Sequence, residues 1–323
     1  MTVSKNNTPL IQTQGLKKYF KTRRGMLHAV DDVNITINQG QTFGVVGESG
    51  CGKSTLGRTI IRLIEATDGQ VLYQGEDIMQ MGRQEMKTTR MKLQMIFQDP
   101  FTSLNPRLSI GEIIAEPMKV TKIVRGKAAL QERTKELMDM CGLPQRYYNA
   151  YPHELDGGRR QRVGLARALA VDPSFIVCDE PVSALDVSIQ AQILNLMMDL
   201  QEQHGLTYMF ITHDLCVVKH ISDIIAVMYL GQVVEYAPRD ELFANRLHPY
   251  TKALLSAIPV PNLSRRGIKW DLLQGEVSNP IDPKPGCRFA SRCKYACAEC
   301  QKVQQLREVA PGHFVRCHQA ESL

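Results

Sequence analysis

Thr42-Phe43-Gly44-Val45-Val46, followed by Gly47-Glu48-Ser49-Gly50-Cys51-Gly52-Lys53-Ser54, is the stretch that decides the fold. Its first five residues form a short apolar run without polar alternation, the pattern of a strand covered on both faces. The next eight match G-x-x-x-x-G-K-[ST], and beyond Thr55 the residues Leu56, Ile60, Leu63 and Ile64 recur at helical spacing. A strand, a glycine-rich turn and a helix in that order make a cradle for phosphate. Glycines let the backbone curl until its N–H groups surround the oxygens, and the helix N-terminus adds positive potential. Lys53 then reaches the β and γ oxygens and Ser54 ligates Mg²⁺. Residues Gly47 to Gly52 and Thr55 complete the expected nucleotide contacts.

Further out, Phe175 to Cys178, Tyr208 to Ile211 and Ile224 to Met228 are apolar runs of the same kind, so a mostly parallel sheet with helices on both faces is expected. The first of them ends in Asp179-Glu180, two acids where a second element of a phosphate site belongs. Asp179 is expected to hold Mg²⁺ through water, and Glu180 to polarise the attacking water as general base. Residues 101–170 read as a helical insertion, in which Leu130, Leu137, Met138 and Cys141 share a face that Gly142 can terminate.

Other pieces fall into order around these: Gln98 in MIFQDP, Leu155-Asp156-Gly157-Gly158-Arg159 before a helix, Ser183-Ala184-Leu185-Asp186 after Glu180, and His213 after YMFIT. With these motifs the sequence resembles the ATP-binding cassette (ABC) family over residues 10–260. The resemblance implies an α/β fold of the P-loop NTPase type, with a mostly parallel core, an antiparallel part and a helical subdomain. It implies that Gln98 lies near Mg²⁺ and the membrane partner, that Ser183 and Asp186 belong to the D-loop, and that His213 contacts the γ-phosphate. Phe20 resembles the aromatic that stacks on adenine, with Tyr19 as the alternative. It further implies two cassettes arranged head to tail, each ATP lying between one subunit's phosphate loop and the other's signature, residues Asp156 to Arg159 here. One cassette is present, so the second is expected from another polypeptide, identical or paralogous.

The segment His248-Pro249-Tyr250-Thr251-Lys252-Ala253-Leu254-Leu255 and the cysteine-bearing tail resemble the dipeptide/oligopeptide importer branch. That resemblance implies a paralogous second ATPase, two permease subunits and, indirectly, an extracytoplasmic binding protein, with some relatives moving nickel or sugars. Of nine cysteines, five fall between Cys287 and Cys317, a clustering that points to metal rather than disulfides. Relatives with the spacing Cys287-x5-Cys293-x6-Cys300-x16-Cys317 carry a [4Fe-4S] cluster. Four thiolates suit iron–sulfur or tetrahedral zinc equally. The missing C-x2-C…C-x2-C pairing tilts the expectation to iron, while Cys297 adds a fifth thiol that makes the third ligand ambiguous.

The signature departs from the family's common LSGGQ, with Asp156 for Ser and Arg159 for Gln. Asp places a negative charge toward the γ-phosphate unless Arg159 or Arg160 offsets it, yet it is also a good helix N-cap. A weakened but folded signature is expected.

Composition narrows the alternatives. The chain has 323 residues, a net charge of +6, 43% hydrophobic and 22% charged residues, all within the globular range. The longest strongly apolar run, Ile224 to at most Leu230, is far short of the about 20 residues a spanning helix needs. MTVSKNNTPL has no secretory pattern, so a cytosolic chain attached peripherally to the membrane's cytoplasmic face is expected. Residues 1–260 are expected to form the nucleotide-binding domain and 261–323 a cysteine-bearing extension. The rival reading, a soluble ABC protein acting on nucleic acid or ribosomes, is disfavoured by the single cassette and the HPY segment; no nucleic-acid partner is expected. An iron–sulfur redox enzyme has no second cofactor fingerprint.

Overall fold

The computed structural model describes residues 8–256 and 280–321. The expected boundary near residue 260 lies outside the described residues. The chain divides into two compact units: one holds Pro9–Ile37, Thr42–Met79 and the chain from Thr212 onward, and the other holds Asn38–Gln41 and Gln80–Ile211.

The first unit opens with two long strands, β1 (Pro9–Thr22) and β2 (Gly25–Asn38), then β3 (Thr42–Val46), helix α1 (Lys53–Ile60), β4 (Asp68–Tyr73) and the short β5 (Glu76–Asp77). β2, β1, β4 and β5 lie side by side in that order, with β4 antiparallel to β1. The expectation that Leu63 and Ile64 continue the α1 face is corrected: the helix stops at Ile60 and Leu63 is exposed. Arg62 takes a left-handed backbone (φ 53°), and the Leu63 N–H turns back to the Arg58 carbonyl, so the last turn closes on itself.

The second unit contains α2 (Arg83–Lys92), β6 (Leu93–Ile96), α3 (Pro100–Ser103), α4 (Ile110–Thr121), α5 (Lys127–Met140), α6 (Gly157–Leu169), β7 (Phe175–Asp179), α7 (Val187–His204) and β8 (Thr207–Ile211). Strands β6, β7 and β8 are parallel neighbours in that order, and every residue of β7 and β8 is buried, as their unbroken apolar runs require. Leu137, Met138 and Cys141 are fully buried around α5. Gly142 follows at φ 63°, and the Leu143 N–H reaches back to the Met138 carbonyl, a glycine-type helix stop. Helices α3 to α6 lie in the stretch Gln80–Ile211 of this unit.

Returning to the first unit, the chain forms α8 (Leu215–Ile221), β9 (Ile224–Tyr229), β10 (Gln232–Pro238), α9 (Arg239–Ala244), α10 (Pro249–Ser256), β11 (Arg307–Ala310) and β12 (His313–Val315). β3 is parallel to β9, while β9, β10, β12 and β11 follow as antiparallel neighbours. Strands β11 and β12 of the tail thus extend this unit's sheet. The tail's aromatic anchor is Phe289, packed edge-on against Tyr229 and tilted against Tyr250 in a cluster with Leu230, Val234 and Leu255. Each such buried side chain contributes about 1.5–3 kcal/mol relative to exposure.

Candidate functional site

The phosphate loop leaves β3 and enters α1 inside the first unit. Gly52 stands at φ 104°, and a Cβ there would lie 2.0 Å from the Ala29 carbonyl oxygen, so only glycine admits this turn. Gly47 is buried, whereas Ser49 and Gly50 face solvent. The buried Lys53 ammonium donates to the carbonyls of Gly47 (2.8 Å) and Glu48 (3.0 Å), which fixes it beside the loop it is expected to serve. Ser54 and Thr55 occupy the first turn of α1, half-buried. Cys51 is buried, and burial pushes its thiol pKa up; it is an inert wall of the loop rather than a nucleophile.

The Thr212 N–H donates to Val45 at the end of β3, so His213, exposed and one residue further, is anchored beside the strand that leads into the loop. Asp214 then caps α8 by accepting from the Cys216 N–H at 2.7 Å. Of the two candidate adenine aromatics, Tyr19 stacks on His28 (centroids 3.8 Å apart) and donates its hydroxyl to Asp31. Phe20 is half-buried with the Lys18 ammonium 4.9 Å from its centroid.

The acid pair lies in the second unit. Asp179 is the buried last residue of β7, and Glu180 follows with a left-handed backbone (φ 47°), rare for a non-glycine residue. The Glu180 N–H donates to Ile211, and its carbonyl accepts from the Ser183 hydroxyl at 3.1 Å, which holds the strained turn. Its carboxylate accepts from Gln98 Nε2 at 2.9 Å. The sequence assigned these two residues separately, and the structure brings them together. Asp186, exposed, caps α7 by accepting from the Ile189 N–H at 3.0 Å and the Ser188 hydroxyl; these bonds hold its carboxyl below the usual range.

In the signature, Asp156 is the N-cap of α6, accepting from the Arg159 N–H at 2.8 Å, and it pairs with the Arg159 guanidinium. Arg160 does not join this pair: it is buried, and its Nε donates to the Pro152 carbonyl. A Cβ on Gly158 would lie 2.6 Å from Ile189 Cγ2, so this glycine allows α6 and α7 to approach closely.

In the tail, Cys287, Cys293, Cys300 and Cys317 line one small pocket together with His318. Burial pushes the Cys287 thiol up to about 11, and negative charge on Cys300, Cys317 and Cys293 acts in the same direction. Four thiols lining one pocket are soft donors, of the kind that a thiophilic cation takes. A second donor set overlaps it. Cys297 Sγ lies 3.3 Å from His318 Nε2, and the ligand atoms of Cys297, Cys300 and His318 all fall within 4.8 Å of one another. His318 was missed from the sequence because a lone histidine one residue after a cysteine carries no spacing signal.

The HPY segment is also explained. Tyr250 accepts the Glu48 N–H of the phosphate loop on its hydroxyl (3.0 Å), and its own N–H donates to His248 Nδ1 (3.0 Å). The fully buried Glu235 accepts from the N–H groups of Leu247 and His248 and pairs with His313 at 2.8 Å. The motif therefore fastens the phosphate loop to β10 and β12. By itself the motif carries a resemblance but no role.

Among the described residues no helix is long and apolar enough to cross a membrane. Residues 30–183 match the family model described as ABC transporter, and residues 234–300 match that of the oligopeptide/dipeptide transporter C-terminal region. The chain is 51% identical to the oligopeptide transport ATP-binding protein OppF of Bacillus subtilis, over 97% of each chain. It is 47% identical to AppF of the same organism, over 97% of this chain and 98% of that one. Among solved structures, the ATP-binding cassette MJ0796, a dimer bound to ADP and phosphate after hydrolysis, matches with a TM-score of 0.66 and 29% identity over 71% of this chain and 98% of that one. The chain belongs to the ATP-binding subunits of the ABC transporter family, in the branch that carries the oligopeptide/dipeptide transporter C-terminal region.

Proposed function

We propose that this ABC ATPase energises a dipeptide/oligopeptide importer from the cytoplasmic face of the membrane, paired with a paralogous cassette and two permease subunits, with an extracytoplasmic binding protein delivering the peptide. The observation that carries the reading is the Tyr250 hydroxyl on the Glu48 N–H, which joins the segment typical of the peptide branch to the loop that grips phosphate. Similarity to OppF and AppF over nearly the whole chain supports peptide over nickel or sugar as cargo.

In this reading Phe20 stacks on adenine, residues Gly47 to Thr55 hold the phosphates, and Ser54, Gln98 and Asp179 serve Mg²⁺. Glu180 takes a proton from the attacking water and His213 contacts the γ-phosphate. Asp156, Gly157, Gly158 and Arg159 act on the partner's ATP, with Ser183 and Asp186 at the D-loop. Residues 1–260 form the nucleotide-binding domain, with 101–170 as its helical subdomain and 261–323 as its extension. In the tail, Cys287, Cys293, Cys300 and Cys317 hold a [4Fe-4S] cluster, whose chemistry here would be structural cross-linking. The Cys297, Cys300 and His318 triad favours a second reading, a zinc site with mixed sulfur and nitrogen ligands.

The experiment is uptake of a labelled dipeptide by cells lacking this chain. Wild-type chain should restore uptake and Glu180→Gln should not. Restored uptake of nickel or an oligosaccharide, with none of peptide, would move the assignment.

A further inference from the structure

Glu48 places a carboxylate in an anion-binding loop. It stands between Gly47 and Ser49, and a free carboxylate there opposes the phosphates that the loop collects. Its carboxylate is instead taken up by one group. Arg292 Nη1 lies 3.1 and 2.9 Å from its two oxygens and Arg292 Nη2 lies 3.1 Å from Oε1, a forked pair in which the arginine side chain is 5% exposed and the glutamate 22%. Glu48 is thus held at every polar position: side chain by Arg292, N–H by Tyr250, carbonyl by Lys53.

Arg292 does not belong to the nucleotide-binding body by sequence. It closes the turn Ala290–Arg292 and immediately precedes Cys293, whose N–H donates to Ala290. The same design recurs twice. Arg288, next to Cys287, reaches Asp31 and the Leu230 carbonyl, and Arg316, next to Cys317, reaches Asp32 at 3.0 Å and the Val233 carbonyl at 3.2 Å. Three of the four pocket cysteines therefore have a buried arginine as chain neighbour, each arginine directed away from the pocket onto another part of the same unit. Of the three, only Arg292 lands on the phosphate loop.

We propose that Arg292 is a positioning residue for the phosphate loop: it cancels the Glu48 charge from the cysteine-bearing tail, so that nucleotide affinity depends on how that tail is folded. The proposal rests on the ATPase reading above. It differs from a general stabilising role in one respect. If Arg292 only braced the fold, the loss of its guanidinium could not be repaired by altering Glu48; if it neutralises charge, removing the carboxylate restores binding.

The test is titration of the purified full chain with a fluorescent ATP analogue in Mg²⁺, with the thermal midpoint followed in parallel. Arg292→Met should weaken binding by about tenfold, the scale of one uncompensated charge near the phosphates, and Arg292→Lys by less, since it keeps the charge and loses the fork. Glu48→Gln added to Arg292→Met should recover most of the affinity without recovering the thermal midpoint. Cys287→Ser, in the pocket and five residues before Arg292, should weaken binding in the wild-type background and have little effect beside Glu48→Gln. Unchanged affinity in Arg292→Met, no rescue by Glu48→Gln, or no effect of Cys287→Ser would each overturn the proposal. Lys53→Ala separates the two levels: if wild type binds no nucleotide, or Lys53→Ala binds as well as wild type, the ATPase reading itself fails.

Discussion

Gln98 Nε2 donates a 2.9 Å hydrogen bond to Glu180 Oε2, so the amide that follows β6 fixes the carboxylate that follows β7. Because β6 and β7 are parallel neighbours, with Ile96 opposite Cys178, both residues emerge at the same edge of the sheet. A carboxylate that accepts from a neutral amide is held in one orientation, as a general base must be. Removing the amide should therefore slow hydrolysis more than it weakens nucleotide binding. Gln98→Ala is expected to lower turnover by about tenfold, the loss of one hydrogen bond at the reacting group, and to raise the MgATP dissociation constant by less, because Ser54 and Asp179 still serve Mg²⁺. Equal losses in affinity and turnover would place Gln98 on the nucleotide instead.

The signature should tolerate its aspartate in folding and be limited by it in function. Asp156 caps α6, so Asp156→Ala is expected to cost about 1 kcal/mol of stability while Asp156→Ser, also a cap, costs a few tenths. Because both side chains of the Asp156–Arg159 pair are substantially exposed, the pair itself adds little stability, and Arg159→Gln should leave the thermal midpoint nearly unchanged. Arg159→Gln should nevertheless slow hydrolysis at the partner cassette's site, and Asp156→Ser with Arg159→Gln should raise it above wild type. Identical rates in all three would make LDGGR an ordinary working signature.

Stability should fall as pH drops through the histidine range. His248 is buried, and burial lowers its pKa from 6.5 to about 4. Between these values the unfolded chain binds a proton that the folded chain excludes. The stability present above pH 6.5 is therefore lost toward pH 4, by about 3 kcal/mol at most. His313 runs the other way: burial disfavours its charge, but its bonds to Glu235 and Glu241 prevail and raise its pKa. Its contribution is complete below pH 6.5 and constant through this window, so it does not mask the effect. Urea midpoints of wild type and His248→Asn, which retains an acceptor for the Tyr250 N–H, should diverge in slope between pH 6.5 and 4. Parallel slopes would contradict the assignment.

The phosphate loop and the acid pair are legible in the sequence because each is a local pattern: an apolar run gives the strand, and the residues at its end carry the chemistry. The parallel strands Phe175–Asp179, Thr207–Ile211 and Ile224–Tyr229 follow from the same signal. The long strands β1 and β2 do not, since in KKYFKT and VDDVN the charged residues interrupt any alternation and pairing across the sheet must supply the order. Nor does α1 end where its apolar spacing suggests, because a left-handed residue outweighs two further leucine-type positions. Arg292 and Glu48 are 244 residues apart, and no local feature of a cysteine-rich tail announces an ion pair with a glycine-rich loop.

The ion proposed for the tail should declare itself by which ligands it needs. Anaerobically purified protein is expected to be brown, with a broad visible absorbance lost in Cys287→Ser and kept in His318→Ala. A colourless protein with one zinc per chain, lost in His318→Ala and kept in Cys287→Ser, would assign the Cys297, Cys300 and His318 triad instead. A colourless, metal-free protein would leave the pocket as a thiol cluster that holds no ion.

Phosphate release by the complex in proteoliposomes, with the partner cassette's own catalytic glutamate replaced and peptide-loaded binding protein present, tests the assignment of Glu180 most directly. The predicted result is that Glu180→Gln binds MgATP as tightly as wild type, holds the cassette dimer closed, and releases phosphate at less than about a hundredth of the wild-type rate. Turnover by Glu180→Gln near the wild-type rate would contradict it.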